Sequence, residues 1–335
     1  GTIPTHIADT ADTADAEART PTERGVTAPT RCLDLPGLYV HVPFCRGRCG
    51  YCDFYSVVPE GTNSFSRYLE ALDREAAMAP KGRFDTVYIG GGTPTILPPV
   101  DMRRLLGLLH RRFDLTRIEE FTVEANPGVL CRESARVLLD AGVNRISLGV
   151  QSMLPSILQV LGRIHGPAEV YEAVDLLRTG GLENVSVDLI FGIPNQRVHE
   201  WERDLRAVLR LQPDHVSVYG LMIAPETPLG RRIADGSLPP VAEESYVAMF
   251  QAARQILLEA GYGQYEISNY ALPRRRCHHN LLYWRNRAYL GLGPSASSYV
   301  KGCRRTNVAD IEQYSTMLRR GAPPGAHEER LSPER

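Results

Sequence analysis

The sequence predicts an α/β fold, a partial (β/α)6 barrel followed by a short C-terminal extension. Short apolar and β-branched runs alternate six times with longer segments of helical period. Six strand-helix units in series require a parallel sheet, because parallel neighbours need crossover connections. Six strands are too few to close an eight-stranded barrel, so an open partial barrel is expected. The predicted strands are residues 38–42, 86–91, 120–125, 145–150, 184–192 and 215–221.

The predicted helices between and after these strands are amphipathic, with apolar residues recurring at helical spacing. The last of them precedes a tail of different character, which ends in one more amphipathic stretch and a polar, proline-bearing segment. We therefore divide the chain into a disordered leader, residues 1–36, a barrel, residues 37–262, and an extension, residues 263–335. The predicted helices are residues 64–79, 101–113, 133–142, 168–180, 200–211 and 244–261.

The bulk composition excludes several classes of protein. The chain has 335 residues, of which 43% are apolar and 23% charged, as in ordinary soluble enzymes. Its formal net charge of -1 gives no electrostatic reason to expect nucleic acid as a partner. The seven cysteines are an odd number, and four of them are scattered without a framework spacing, which indicates a reducing compartment. Because no apolar run reaches the roughly 20 residues of a membrane helix, we predict a cytoplasmic protein.

Three cysteines lie within eight residues directly after the first predicted strand: Cys45, Cys49 and Cys52. Three thiolates on one loop can bind three of the four irons of a cubane cluster, which leaves the fourth iron open. A structural zinc site would instead need a fourth ligand, for which His41 or a distant histidine is available. An electron-carrying ferredoxin would supply a fourth thiolate. The spacing alone therefore leaves iron-sulfur, zinc and coincidence open.

Several further residues stand where strands should end. Gly90, Gly91 and Gly92 close the second strand, Glu124 lies near the end of the third, and Gln151 follows the fourth. The carboxyl ends of parallel strands carry the active site in barrel enzymes. These residues and the cysteines are therefore expected at one end of the barrel.

The run YVHVPFCRGRCGYCDFYS resembles the cluster loop of the radical S-adenosylmethionine superfamily, in the branch of oxygen-independent coproporphyrinogen III oxidase and the HemW-like haem chaperones. The similarity extends over about residues 38–330 through an ordered series of motifs. It implies a partial barrel of the radical SAM type with a 4Fe-4S cluster on Cys45, Cys49 and Cys52, and S-adenosylmethionine on the open iron. The further motifs are IGGGTPT, TVEANPG, ISLGVQS, LGRIH, VDLIFGIP and HNLLYW.

The resemblance also implies roles for residues around the S-adenosylmethionine. It assigns Glu124 to the amino group and Arg163 to the carboxylate, whose geometry suits a guanidinium fork. Simpler explanations stay open from the residues alone: a tight turn for the glycines, a pair with Arg145 for Glu124, a capping role for Asp188 and core packing for the tyrosines. The residues implied to contact the cofactor are Tyr39, Tyr51, Gly91, Gly92, Thr93, Glu124, Gln151, Arg163 and Asp188.

The extension contains the motif HNLLYW, preceded by a second histidine, His278. An imidazole among aromatic side chains is the environment of an axial haem ligand. In the resembling haem chaperones this motif assigns the haem ligand, which maps onto His279. The basic run 274–276 could pair with haem propionates or form a solvated loop, and Cys277 and Cys303 are alternative soft ligands.

Two functions compete on this basis, a haem chaperone and the oxidase; an unassigned radical enzyme is a third. The oxidase has a fourth cysteine where this chain has Phe54, and it lacks HNLLYW, so the chaperone is preferred. One departure from the family is Ser297, where relatives often have histidine. We expect haem as cargo, acceptor haem proteins as partners, membrane-bound respiratory enzymes among them, and a homodimer. The relatives continue beyond the run ERLSPER, so a truncated C-terminus is expected.

Overall fold

A computed structural model describes residues 33–61 and 63–331 of the chain. Within these residues, one sheet of twelve strands has the order β14-β13-β12-β11-β2-β4-β5-β6-β7-β8-β10-β9, and β1 pairs separately with β3. The strands are β1 (Leu33–Asp34), β2 (Gly37–Val42), β3 (Gly82–Arg83), β4 (Thr86–Gly91), β5 (Glu120–Ala125), β6 (Arg145–Gln151), β7 (Asn184–Phe191), β8 (His215–Gly220), β9 (Gly263–Gln264), β10 (Asn269–Ala271), β11 (Tyr289–Leu292), β12 (Ser297–Val300), β13 (Cys303–Asn307) and β14 (Gly325–Arg330).

The helices lie between these strands, and those of the barrel cover its outer face. Among the described residues, no helix is both long and apolar enough to cross a membrane. The helices are α1 (Ser64–Met78), α2 (Pro99–Arg112), α3 (Arg132–Asp140), α4 (Pro155–Leu161), α5 (Pro167–Thr179), α6 (Val198–Leu209), α7 (Pro228–Ala234), α8 (Glu243–Glu259), α9 (His278–Trp284) and α10 (Ile311–Arg319), with a 3-10 turn at Pro94–Ile96.

The predicted open barrel is confirmed. Strands β2, β4, β5, β6, β7 and β8 are parallel neighbours, and each begins and ends within one residue of its predicted bounds. The six predicted helices are also found, within two residues at each end. The sheet does not close into a full barrel. Its last parallel strand, β8, pairs with the antiparallel β10, and its first, β2, pairs on its other side with β11.

Alternation along the strands separates an apolar outer face from a polar lumen. In β2, the residues Leu38, Val40 and Val42 are completely buried in the hydrophobic core. Their neighbours Tyr39 and His41 point to the other face, because successive side chains of a strand alternate. The same period places tyrosine, glutamate, arginine and aspartate side chains inside the barrel. The lumen is therefore lined with groups that can bind a polar ligand.

The C-terminal extension continues the barrel sheet. Strand β11 is parallel to β2, and β12, β13 and β14 follow as an antiparallel meander. The polar segment expected at the end of the chain contains β14, which the sequence pattern does not predict. Its strand conformation depends on pairing with β13, where Nη2 of Arg305 donates a hydrogen bond to Oε2 of Glu328 at 3.1 Å.

The first residues described correct one predicted boundary. The sequence pattern places residues 33–36 in the disordered leader, but Leu35 is completely buried. The carbonyl of Pro36 accepts hydrogen bonds from the backbone N–H groups of Asp85 (3.0 Å) and Thr86 (2.9 Å). These bonds and the burial of Leu35 fix the segment that leads into β2. The rest of the predicted leader, residues 1–32, lies outside the described residues.

A buried carboxylate joins the extension to the barrel. Glu75 of α1 accepts hydrogen bonds from the backbone N–H of Gly293 (2.7 Å), Nδ2 of Asn307 (2.6 Å) and the hydroxyl of Tyr314 (2.5 Å). Burial raises the pKa of Glu75 to about 7, although these three bonds oppose the rise. A single side chain therefore holds three separate parts of the extension against α1.

Replacing Glu75 with Ala is expected to destabilise the protein by about 3 kcal/mol. Three buried donors would lose their acceptor, and an unsatisfied buried donor costs about 1 kcal/mol or more. Urea denaturation measures the loss. The matched control is Glu70→Ala in the same helix, where the exposed side chain should change stability by less than about 0.5 kcal/mol. Equal stability of the two variants would contradict a role for Glu75 in holding the extension.

Candidate functional site

The cysteine loop, residues 43–57, lies at the carboxyl end of β2 and is fastened to two helices. The backbone N–H of Gly50 donates to the carbonyl of Leu161, the last residue of α4, at 3.1 Å. The carbonyl of Gly50 accepts from the N–H of Leu229 in α7, at 2.8 Å. The middle of the loop is thereby held over the mouth of the barrel, where the strand-end residues also converge.

The three thiols share this loop and interact with one another. The pKa of Cys52 is raised, chiefly by burial and further by the nearby sulfurs of Cys49 and Cys45. The Sγ of Cys45 lies 3.7 Å from Oγ1 of Thr93. The Nη1 of Arg163 donates to Sγ of Cys49 at 3.5 Å. The loop therefore brings the cysteines together with two residues that the sequence assigned to the cofactor.

The arrangement does not form the compact tetrahedron of a zinc site. In the part of the chain that the structure describes, no three His, Cys, Asp or Glu side chains are close enough to hold one metal ion. His41, the candidate fourth ligand, has both ring nitrogens engaged. Its Nε2 donates to the carbonyl of Tyr55 (3.1 Å), so its Nδ1 accepts from the hydroxyl of Tyr39 (3.1 Å). Thiolates on separate irons of a cubane lie farther apart than ligands sharing one ion.

The glycines that end β4 are explained by close packing within the protein. A Cβ on Gly92 would lie 2.5 Å from the carbonyl oxygen of Phe44, so only glycine lets the cysteine loop approach this strand. Gly91 has φ +111°, which favours glycine, and a Cβ there would lie 2.7 Å from the ring of His41. The structure therefore adds a reason for these glycines that the sequence did not indicate, the close approach of the cysteine loop and of His41. Contact of the glycines with a ligand stays a prediction.

Glu124 lies in the lumen between β4 and β6 and is bound by neutral donors. The hydroxyl of Tyr88 donates to Oε1 at 2.8 Å, and the backbone N–H of Gly91 donates to Oε2 at 3.1 Å. Burial raises the pKa of Glu124 to about 7, with Asp188 adding to the rise. Arg145 lowers this pKa only from a distance. The ion pair with Arg145, which the sequence leaves open as an explanation, is therefore not the main interaction of the Glu124 carboxylate.

Gln151 and Arg163 meet at the end of β6. Gln151 has φ +67°, an uncommon conformation for a residue with a side chain, at a bulge in the pairing with β7. Its Nε2 and Nη2 of Arg163 both lie beside Gly149, and Nη2 donates to the Gly149 carbonyl at 2.8 Å. The buried Nε of Arg163 has no partner within the described residues. Backbone strain and an unsatisfied cationic donor therefore occur together beside the cysteine loop.

The remaining predicted residues also face the lumen or its mouth. Both carboxylate oxygens of Asp188 lie within 3.1 Å of the Oγ of Ser147, and burial raises the pKa of this aspartate. The ring of Tyr39 lies 6.2 Å from that of Tyr88. Tyr51 packs against the apolar cluster under α4 and interacts with Arg163. Core packing, the simpler explanation for Tyr51, therefore accounts for part of its environment.

His279 lies at the opposite end of the barrel from the cysteines. Its Nδ1 is 2.8 Å from Oγ1 of Thr86, the first residue of β4, and its Nε2 is 2.9 Å from the hydroxyl of Tyr283. The side chain is fully buried, and burial lowers its pKa to about 4. The carboxylate of Glu120 accepts the backbone N–H groups of His278 and His279. His279 could bind iron only if the hydroxyl of Thr86 or of Tyr283 moved away from its ring nitrogen.

Tyr88 and Glu120 are the important residues that sequence reasoning missed. Tyr88 contacts both ends of the lumen, because its hydroxyl binds Glu124 and its ring lies 5.3 Å from the imidazole of His279. The period of two along β4 places Tyr88 on the same face as Gly90, and this signal could have identified it. Nothing in the sequence pairs Glu120 with α9, since the bond spans 158 residues.

The residues at the mouth of the barrel fit the expected cofactors. Three cysteines on one pinned loop supply soft sulfur ligands of the kind that hold iron-sulfur clusters. Beside them lie an arginine with an unsatisfied buried nitrogen and a buried carboxylate. These charges complement the carboxylate and the amino group of an amino acid. Cys45, Cys49 and Cys52 would hold the cluster, while Arg163 and Glu124 would hold S-adenosylmethionine.

Comparison with known proteins identifies the family. Residues 39–208 match the Radical SAM superfamily. The chain is 39% identical to the haem chaperone HemW of Lactococcus lactis, over 82% of this chain and 73% of that protein. It is 41% identical to HemW of Escherichia coli, over 78% and 70% of the two chains. A solved structure, coproporphyrinogen III oxidase (HemN) from Escherichia coli, superimposes with a TM-score of 0.80 at 25% identity, over 90% of this chain and 74% of that one.

The family match covers half of the chain, and the HemW proteins align with more than two thirds of their own length. The open parallel barrel with the cysteine loop at its carboxyl end agrees with both results. The chain belongs to the radical SAM superfamily, as a HemW-like member.

Proposed function

We propose that this protein is a haem chaperone that binds haem and delivers it to acceptor haem proteins, membrane-bound respiratory enzymes among them. It carries a 4Fe-4S cluster and S-adenosylmethionine at the carboxyl end of the barrel. Its haem-binding segment is α9, at the amino end, where the family assigns His279 as ligand. We further propose a cytoplasmic location and a homodimer.

One observation carries the choice between chaperone and oxidase. The curated relatives named as haem chaperones share 39% and 41% identity with this chain, whereas the oxidase structure shares 25%. Two local features agree with this difference. Phe54, 67% exposed, stands where the oxidase has a cysteine, and HNLLYW forms a helix bonded to the first residues of β4 and β5.

Within this function, each residue at the mouth of the barrel has a physical task. When bound, the cluster supplies one electron at a time and S-adenosylmethionine supplies a cleavable sulfonium bond. Glu124 binds the amino group and Arg163 the carboxylate, while Gln151 and Asp188 provide further polar contacts. The aromatic rings of Tyr39 and Tyr51 pack over the cofactor site. The end of β4 lies beside the methionine moiety, at Gly91, Gly92 and Thr93.

The test offers the reduced, iron-loaded protein coproporphyrinogen III and, in a separate reaction, haem. We expect stoichiometric uptake of haem without turnover, followed by transfer to an apo-haem protein, measured by absorption spectroscopy. Mass spectrometry of the porphyrinogen reaction should show unchanged substrate. Decarboxylated product would show that the oxidase function is correct and would refute the chaperone.

A further inference from the structure

Asp204 of α6 places a carboxylate in the apolar core. The side chain is completely buried, on the helix face that also buries Trp201, Leu205 and Val208. A buried carboxylate is unfavourable unless hydrogen bonds compensate for its lost hydration. Burial raises the pKa of Asp204 to about 6, although hydrogen bonds to the carboxylate oppose the rise. The donors of these bonds show what the group does.

Both oxygens of Asp204 bind the chain directly after Gln151. The hydroxyl of Ser152 donates to Oδ2 at 2.6 Å, and the backbone N–H of Met153 donates to Oδ1 at 2.6 Å. The same hydroxyl accepts the backbone N–H of Leu154 at 3.0 Å. The carboxylate therefore fastens the link between β6 and α4 to helix α6.

Gln151 stands at the centre of a γ-turn. Its φ is +67°, and the N–H of Ser152 donates across it to the carbonyl of Val150 at 2.9 Å. A γ-turn with positive φ at its centre is rare and strained, and such a backbone persists only where its surroundings hold it. The carbonyl of Val150 also accepts from Nε2 of the buried His165, at 3.0 Å. The bonds to His165 and Asp204 thus hold the turn on the two sides of Gln151.

This turn, residues 149–153, decides where the side-chain amide of Gln151 lies. A Cβ on Gly149 would be 3.1 Å from Nε2 of Gln151 and 3.6 Å from Nη2 of Arg163, so both nitrogens lie over the same residue. Two N–H donors that converge in this way suit an acceptor such as a carboxylate. A change in the backbone of Gln151 would carry its amide away from Arg163.

We propose that Asp204 is a positioning residue of the cofactor site, which holds the turn so that the amide of Gln151 lies beside Arg163 before S-adenosylmethionine binds. The inference rests on the proposed S-adenosylmethionine site and deepens it. Asp204 makes no contact with the cofactor and acts through Gln151. His165 supports the same turn through the carbonyl of Val150.

The test titrates S-adenosylmethionine into the iron-loaded full chain by calorimetry. At pH 8 the carboxyls of Glu124 and Asp204, with pKa values of about 7 and about 6, are both mostly ionised. Asp204→Ala is expected to weaken binding roughly tenfold, because the turn loses two acceptors and the Gln151 amide its place. Asp204→Asn keeps the shape and an acceptor for the N–H of Met153, so it should recover most of the affinity.

The matched control is Val208→Ala, on the same buried face one helical turn further along α6. It loses core packing but no hydrogen bond to the turn, so it should be less stable and should bind S-adenosylmethionine as wild type does. A loss of affinity in Val208→Ala equal to that in Asp204→Ala would reduce Asp204 to a general contribution to stability and overturn the proposal.

A double-mutant cycle tests whether Asp204 acts through Gln151. Gln151→Ala alone should weaken binding roughly tenfold, since it removes the amide itself. Adding Asp204→Ala should then cost less than about twofold more, because no amide remains to be placed. Losses that multiply in the double variant would show that Asp204 acts by another route and would overturn the proposal.

Hydrogen exchange gives a readout that needs no cofactor. In the cluster-free protein, peptides covering residues 149–154 should exchange about tenfold faster in Asp204→Ala than in wild type, because the amide of Met153 loses its acceptor. Equal exchange in this segment would overturn the proposal. If Asp204→Ala does not fold, Ser152→Ala takes its place in every assay. It removes one of the two bonds and should give changes of roughly threefold in the same directions.

The outcomes separate this inference from the proposed function. If iron-loaded wild type does not bind S-adenosylmethionine, the proposed cofactor site and the positioning role both fail. If wild type binds it and Asp204→Ala binds it equally well, only the positioning role is wrong.

Discussion

Replacing Cys45, Cys49 and Cys52 together with Ala is expected to remove all iron from the anaerobically reconstituted protein. The three side chains are the proposed sulfur ligands at the mouth of the barrel, and iron-sulfur clusters require such thiolates. The brown iron-sulfur absorption of the reconstituted protein should disappear, and iron analysis of the desalted protein should show the same loss.

The matched control is Cys131→Ala, which removes an exposed thiol at the start of α3. This variant should retain its full iron content. The triple variant should also keep its fold, because the loop is held by backbone bonds of Gly50 to Leu161 and Leu229. Iron retained by the triple variant, or zinc without iron in the wild type, would contradict the cluster assignment.

Replacing Glu124 with Gln is expected to weaken S-adenosylmethionine binding about 10- to 100-fold. A hydrogen bond to a charged group contributes about 1.5 to 3 kcal/mol, and glutamine keeps the shape while losing the charge. Isothermal titration of the iron-loaded protein measures the change. The control is Glu119→Gln, an exposed carboxylate at the other end of the barrel. Equal affinities in Glu124→Gln and wild type would remove this residue from the site.

The pH dependence of binding gives a second readout of the same residue. Since burial raises the pKa of Glu124 to about 7, this carboxyl is mostly protonated at pH 6 and mostly ionised at pH 8. Only the ionised form attracts an ammonium group, so affinity should rise with pH through about 7. The rise should be absent in Glu124→Gln. Tyr88→Phe should move its midpoint to higher pH, because the Tyr88 hydroxyl lowers the pKa of Glu124.

Local patterns in the sequence were sufficient for the barrel. Each strand carries its own period of two and each helix its own apolar stripe, so their order and bounds can be read without knowing the partners. A parallel sheet then places all the strand ends on one side. The position of Cys45, Glu124 and Gln151 at one mouth follows from this rule alone.

The same reasoning failed where a strand depends on its partner. β14 carries mostly exposed residues, three of them charged, and shows no apolar alternation. It is a strand because β13 offers its backbone groups and two arginines. Similarly, residues 33–36 lack a periodic pattern but are held by bonds to the start of β4.

Patterns along the chain are enough to predict the open parallel barrel, the cysteine loop at its carboxyl end and the family. Folding is needed to show that His279 is buried while His278 lines a cavity, and that Tyr88 contacts both Glu124 and the imidazole of His279. These contacts escape a sequence pattern because the hydrogen-bond partners of buried polar groups come from distant segments. The bond between Thr86 and His279 spans 193 residues, and no local period records such a contact.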